Sequence, residues 1–310
     1  MRYQNISLSV FKRQFILLVI IALYNNGPAF SMGLSEPITE PVEPVITSGP
    51  LGVPVRVDAY GLNSLLVSDY SRGMIYEVSR NDPGEIISSF AVEGRALAVA
   101  HMGSSVLVGN TTTGNVEIYS AQGRITGILN SDGKIERPSD IGVSQQEKKI
   151  FVVDSRARAV KVYTRKGLQF VFGADKLVNP VGVALDQPNR MIFISDHGDS
   201  TKGISAAVFM YTFDGAYIGY MDGGEFQFYR PRGLAYDQEK LYVTDALAGE
   251  ITVIDVAAMT RSGALGEYGS EPGQLVQPQD VFVDPERMEI FVANKRLGRI
   301  EKIAFGGTVQ

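Results

Sequence analysis

Residues 179–196 read NPVGVALDQPNRMIFISD, and this stretch decides the fold. Val181 to Leu185 is a short β-prone run. Asp186-Gln187-Pro188-Asn189-Arg190 is a polar turn, and Met191 to Ser195 is a second β-prone run that closes on Asp196. The pattern returns as RPRGLAYDQEKLYVTD (Arg230–Asp245), QPQDVFVDPERMEIFVAN (Gln277–Asn294) and RPSDIGVSQQEKKIFVVD (Arg137–Asp154). Two eroded copies come earlier, GRALAVAHMGSSVLVGN (Gly94–Asn110) and VPVRVDAYGLNSLLVSD (Val53–Asp69). The closing residues are Asp69, Asn110, Asp154, Asp196, Asp245 and Asn294, spaced by 41, 44, 42, 49 and 49 positions. A period of that length marks a propeller or solenoid rather than two unrelated cores.

Each later copy runs past its aspartate into further strands. Val160–Tyr163 and Leu168–Phe172 flank a turn at Arg165-Lys166-Gly167, and Ala207–Tyr211 and Ala216–Gly219 flank Asp214-Gly215. In the second copy the pair is Asn115–Tyr119 and Arg124–Leu129. Four strands in each of six repeats, without a convincing helix, predict an all-β, six-bladed β-propeller of four-stranded antiparallel blades over residues 51–305. The last copy stops at its third strand, Arg299–Ile303. A missing outer strand would leave the ring unfastened, so the Pro44–Ser48 region is expected to close the last blade.

The units Pro180–Asp186 with Ile192–Asp196, and Pro231–Asp237 with Leu241–Asp245, resemble NHL repeats. The resemblance covers roughly residues 50–305 and is strongest in copies three to six. It implies a six-bladed propeller of the exported bacterial type. Members serve widely different purposes, so it implies fold more firmly than function.

The N-terminus reads as an export signal over residues 1–31. Lys12 and Arg13 precede an apolar run from Phe15 to Tyr24, and Ala29-Phe30-Ser31 offers a cleavage site. The rival reading is an uncleaved anchor, the one case in which a membrane would be a partner. Residues 32–50 are a Pro-rich linker. The expected location is therefore periplasmic or secreted. Loss of Arg2, Lys12 and Arg13 would leave 26 basic residues against 34 acidic ones, a net charge of −8. That balance argues against nucleic acid as a partner. The chain has no cysteine, which excludes disulfides, thiolate metal sites and a lipidated cysteine anchor.

In an up-and-down blade, the turn entering the first strand and the turn leaving the second lie on one face of the disc. Two sets of residues should then meet at a channel mouth. One follows the repeat proline by two: Arg56, Ala96, Asp140, Gly182, Gly233 and Asp280. The other follows the repeat aspartate: Tyr70, Thr111, Ser155, His197, Ala246 and Lys295. From these, Arg56, Asp140, Asp280, His197 and Lys295 are the candidate ligand- or partner-binding residues. Asp140 and Asp280, in opposite blades, are candidate metal ligands, with calcium as the ion such oxygen donors would admit. The competing reading has each aspartate cap its own turn or pair with a neighbouring arginine.

The repeat aspartates are expected to be structural acceptors for turn amides, since Asn stands at 110 and 294. Of the two histidines, His101 is expected to be an exposed loop residue on the other face. His197 opens the loop 197–203, which is peculiar to one blade and a candidate contact element. Tyr217, Tyr220 and Tyr229 are assigned to packing between blades, and Phe226 and Phe228 are left open between packing and a contact patch.

Two histidines cannot supply a three-histidine zinc site. No phosphate-binding glycine loop, nucleophile elbow or other catalytic set stands out. The sequence therefore favours a non-catalytic, exported and monomeric propeller that binds a protein or a small molecule and needs no cofactor. The alternative is a divalent-metal-dependent hydrolase or lactonase with its site at the channel mouth.

Overall fold

A computed structural model of the chain describes residues 44–45 (backbone), 51–130 and 135–305. The expected export signal, residues 1–31, lies outside them, as does all but Pro44–Val45 of the expected linker, 32–50. Six four-stranded antiparallel sheets follow one another around a ring. After β1 (Pro44–Val45), blade one is β2 (Pro54–Tyr60), β3 (Ser64–Asp69), β4 (Met74–Ser79) and β5 (Ile86–Ala91). Blade two is β6 (Ala96–Met102), β7 (Ser105–Asn110), β8 (Asn115–Tyr119) and β9 (Ile125–Ile128). Blade three is β10 (Pro138–Ser144), β11 (Lys149–Asp154), β12 (Ala159–Thr164) and β13 (Gly167–Phe172). Blade four is β14 (Pro180–Asp186), β15 (Met191–Asp196), β16 (Ala207–Thr212) and β17 (Tyr217–Asp222). Blade five is β18 (Pro231–Asp237), β19 (Lys240–Asp245), β20 (Glu250–Asp255) and β21 (Thr260–Leu265). Blade six is β22 (Pro278–Asp284), β23 (Glu289–Asn294) and β24 (Arg299–Ala304), and β1 supplies its fourth strand, pairing Pro44 with Ile303 and Val45 with Lys302.

Burial across a blade explains the sequence pattern. Second strands pack against blades on both sides and read as continuous apolar runs. Every residue of β3, SLLVSD, is buried, as is every residue of β15, MIFISD. Outer strands face water: β5, IISSFA, and β9, ITGI, are almost wholly exposed. The apolar core lies between blades. Phe151, Val153, Val160 and Val162 of blade three share one cluster with Val183, Ile192, Ile194 and Tyr211 of blade four. The ring seam is built alike, since Val57, Leu65 and Val67 of blade one pack on Phe291, Ala293 and Ile300 of blade six. An ion pair from Arg80 to Asp284 at 2.8 Å crosses the same seam.

One irregularity recurs in every blade. The pairing of first and second strands slips just after the residue at the repeat-proline position. This β-bulge takes Val55, Leu97, Ser139, Val181, Arg232 and Gln279 out of the ladder, and six backbone carbonyls at the channel must find other donors. The bulge also corrects the alignment of blade two. Ala96 pairs with Asn110 as Pro54 pairs with Asp69, so Ala98, opposite Gly109, is the counterpart of Arg56. Ala96, expected at that position, stands in for the lost proline.

Candidate functional site

The six orphan carbonyls define the centre of the disc. Arg56 satisfies four of them. Its Nε and Nη2 donate to Ser139 O at 3.2 and 2.9 Å, and Nη2 also donates to Val181 O. Nη1 donates to Gln279 O at 3.1 Å and to Val55 O at 3.3 Å. The remaining two are met by hydroxyls, Leu97 O by Ser68 and Arg232 O by Ser195. One guanidinium with five donors thus ties blades one, three, four and six at the axis.

Asp140 completes this lock. Its Oδ1 lies 3.0 Å from Arg56 Nε and accepts from Ile141 N, while Oδ2 accepts from Val183 N in the next blade at 2.9 Å. Asp280 repeats the staple at the seam, with Oδ2 accepting from Val57 N at 3.0 Å. Burial pushes both carboxyls upward, Asp280 well above the ordinary carboxylate value; the Arg56 charge opposes the shift in each. Two glycines make the close approach possible. A Cβ on Gly233 would stand 2.0 Å from Asp280 Oδ1, and one on Gly182 would stand 2.1 Å from Arg232 O.

The repeat aspartates are structural. Asp245 accepts from Tyr229 N and Arg230 N, the two amides before the repeat proline, and from Leu247 N and Ala248 N in its own turn. Asp69, Asp154 and Asp196 make the same two-sided clamp. Burial pushes Asp69 and Asp154 up, but their hydrogen bonds outweigh it and hold both below the usual carboxylate range. Asn110 and Asn294 keep one acceptor oxygen and turn their amide groups to Glu93 O and Gln274 O.

The five candidate residues therefore divide. Arg56, Asp140 and Asp280 come together inside the channel, and Arg56 pairs with Asp140 rather than with the adjacent blade's Asp280. His197 and Lys295 lie beyond them, on the face formed by the entry turns. On the other side of the lock is a cavity of about 260 Å³, with Asp140 and Asp280 in its wall and Asp58, His101, Gln145, Gln187 and Tyr236 towards the opposite face. His101 is not the exposed loop residue expected. It lies within β6, one residue before its end, half-buried edge-on to Tyr60, and its Nδ1 lies 3.0 Å from Asp58 Oδ2; this hydrogen bond raises its pKa. Among the described residues, no group of three His, Cys, Asp or Glu side chains is placed to hold a metal ion.

The face carrying His197 and Lys295 is cationic, which the sequence reading missed. Arg232 occupies the blade-five bulge, and its buried Nε has no hydrogen-bond partner. Burial and the charges of Arg230, Arg56 and Arg137 push this guanidinium down to about 10. Burial together with Arg232 and Arg230 likewise depresses Lys295. Burial, Arg232 and Arg230 hold His197 neutral, at about 3, and its buried Nε2 is also unpartnered. Arg95 contributes from blade two, donating to Tyr70 Oη at 3.2 Å. Beside this collar, where turns of blades three, four and five meet, is a groove of about 460 Å³ lined by Arg158, Asn179, His197, Asp199, Tyr229 and Arg230. Asp199 caps a short 3-10 turn, Ser200–Lys202, and binds Lys202 Nζ at 2.6 Å. The sequence signal was present as arginine before the repeat proline, Arg137-Pro138 and Arg230-Pro231. Phe226 and Phe228 are buried and stacked with centroids 6.0 Å apart, which places them in packing, whereas Tyr229, expected in packing between blades, is exposed instead.

No protein-family model matches this chain, and no curated protein matches it. Solved structures do. A chain of a nidogen/laminin complex is 17% identical, with a TM-score of 0.59, and the match covers 77% of this chain and 92% of that one. Streptogramin B lyase is 13% identical with a TM-score of 0.61, and the match covers 86% of this chain and 97% of the lyase. At these identities the likeness shows the fold alone, a six-bladed propeller. Among the described residues, no helix is long and apolar enough to cross a membrane.

Proposed function

We propose that this chain is an exported, non-catalytic propeller of NHL type whose entry-turn face, with the loop 197–203, binds a partner or ligand. One observation carries the reading. The ionisable groups at the axis, Arg56, Asp140 and Asp280, are spent on bulge carbonyls and inter-blade amides, whereas among the described residues Arg137, Arg230, Arg232 and Lys295 on the entry-turn face make no ion pair. A propeller chain from a nidogen/laminin complex is consistent with the fold serving protein recognition. The second reading, a hydrolase or lactonase using an oxygen-ligated divalent ion, draws on the cavity walled by Asp140 and Asp280 and on the lyase neighbour.

The test is to express the full chain with its N-terminus, recover the exported form, and identify bound molecules by native mass spectrometry. A defined ligand or protein should be retained by the wild type and lost when residues 198–203 are replaced by a two-residue turn. Retention by the shortened variant, or hydrolysis of lactones or esters that depends on Asp140, would overturn the reading.

A further inference from the structure

We propose that the axial end of the entry-turn face is a binding site for a compact multivalent anion, a ligand bearing two or more carboxylate or phosphoryl groups. Arg232, Arg230, Arg137 and Lys295 would surround it, and His197 would line its edge. This deepens the binding reading and rests on it.

The chain as a whole is acidic, with 34 Asp and Glu against 29 Lys and Arg. A collar of cations is therefore a local concentration against the global balance. The collar draws on separate blades: Arg137 enters blade three, Arg230 and Arg232 enter blade five, and Lys295 leaves the second strand of blade six. Arg232 sits where blades converge: its carbonyl meets Ser195 and closely approaches Gly182 of blade four, its neighbour Gly233 lies against Asp280 of blade six, and the charges of Arg137, Arg230 and Arg56 act on its guanidinium together. No ion pair to a carboxylate engages Arg137, Arg230, Arg232 or Lys295 among the described residues.

Nearly every buried donor in a folded protein has a partner, so buried Arg232 Nε without one calls for an explanation. Among the described residues no hydrogen bond or ion pair engages the Arg232 Nε, whereas its backbone carbonyl is met by Ser195. The β-bulge re-aims this residue, as bulges commonly do beside functional sites. Arginine suits a forked oxyanion, which accepts two parallel hydrogen bonds. Below the collar Arg56 closes the axis, so the ligand meets a floor rather than an open channel. The adjoining groove of about 460 Å³ gives a second anionic group room beside Arg158 and Arg230. A shallow site closed beneath by Arg56 fits a compact ligand better than a long polymer, and Tyr229 at its edge offers an exposed ring.

The test uses the exported chain and isothermal titration with citrate and tripolyphosphate, alongside a 20-nucleotide single strand. The expected result is one site for citrate, tripolyphosphate or both, weakened about tenfold or more in Arg232→Gln and Lys295→Gln. Arg124→Gln, at an exposed turn outside the collar, should bind as the wild type does. In the absence of ligand, Arg232→Gln should also raise the melting temperature, because it removes a half-buried cation repelled by its neighbours. A structural arginine would do the opposite. Absence of binding to both compact anions overturns the proposal, as does equal binding by the Arg232 variant or a fall in its melting temperature. Binding of the oligonucleotide alone overturns the compact-ligand class in favour of a nucleic-acid surface. If both anions fail while a partner is still lost on shortening 198–203, only the anion assignment falls; if neither binds, the binding reading falls too.

Discussion

Arg56→Met should destabilise the chain by about 5 kcal/mol, the largest effect expected of any single substitution here. The variant loses a buried ion pair at 3.0 Å and the donors of four bulge carbonyls at once. Breaking one side of a buried pair costs about 3–5 kcal/mol, because a charge is left without a counter-charge. Orphaned carbonyls add to this, although water entering the channel would recover part of the loss. Since a whole domain is stable by only about 5–15 kcal/mol, the variant should sit near the edge of folding. Arg56→Lys should recover only part of the stability, because an ammonium cannot match the fork of donors.

The pH dependence has a definite sign. Burial already raises Asp140 and Asp280, with Arg56 pulling them back down. Without Arg56 both carboxyls should titrate higher still. A carboxyl whose folded pKa exceeds its unfolded value binds more protons when folded, so the variant should lose stability as pH rises through that range. Equilibrium unfolding in urea at several pH values would check both size and slope. A loss below about 1 kcal/mol would show that the carbonyls find other donors.

Asp245→Ala is expected to cost about 4 kcal/mol, second only to the Arg56 change. Its fully buried carboxylate accepts from four backbone amides, and alanine leaves all four without a partner. Two of these precede Pro231 and two follow Asp245, so the clamp fixes where blade five begins and where its second strand ends. Asp245→Asn should cost about half as much, since one oxygen can still accept. Blades two and six tolerate asparagine because the amide group there donates to a loop carbonyl. A melting-temperature fall of roughly 10 °C for the alanine variant, with an unchanged far-UV spectrum, is the expected reading. Equal effects of Ala and Asn would mean that water had replaced the carboxylate.

The fold was legible because the repeat is written in the residues that build each blade's first two strands. Strands such as β14 and β15 fall within a residue of their sequence-read limits, and the ring closure by Pro44–Val45 follows from counting an absent strand. The structural role of the repeat aspartates was equally readable, because an acceptor of turn amides tolerates asparagine. The site was less legible, for two reasons. The bulge re-aims the residues after the proline, so Arg56 and Asp140 turn into the axis instead of joining His197 and Lys295 at a common mouth. The cationic collar is assembled from turns far apart in sequence, each with only one or two basic residues, and an overall acidic composition conceals it. His101 was misplaced because strand β6 continues through it to Met102, where the sequence suggested a turn.

Asp140 and Asp280 staple blades together at the axis through Ile141 N, Val183 N and Val57 N, and we propose that they hold no metal. Elemental analysis of the purified propeller, residues 32–310, after equilibration with calcium and removal of free ion, decides this. The Asp140→Asn/Asp280→Asn double variant would be measured in parallel. Neither protein should carry a stoichiometric divalent ion, and adding calcium should leave the melting temperature unchanged. About one equivalent of a divalent ion in the wild type, absent from the double variant, would contradict it and return the channel to the hydrolase reading.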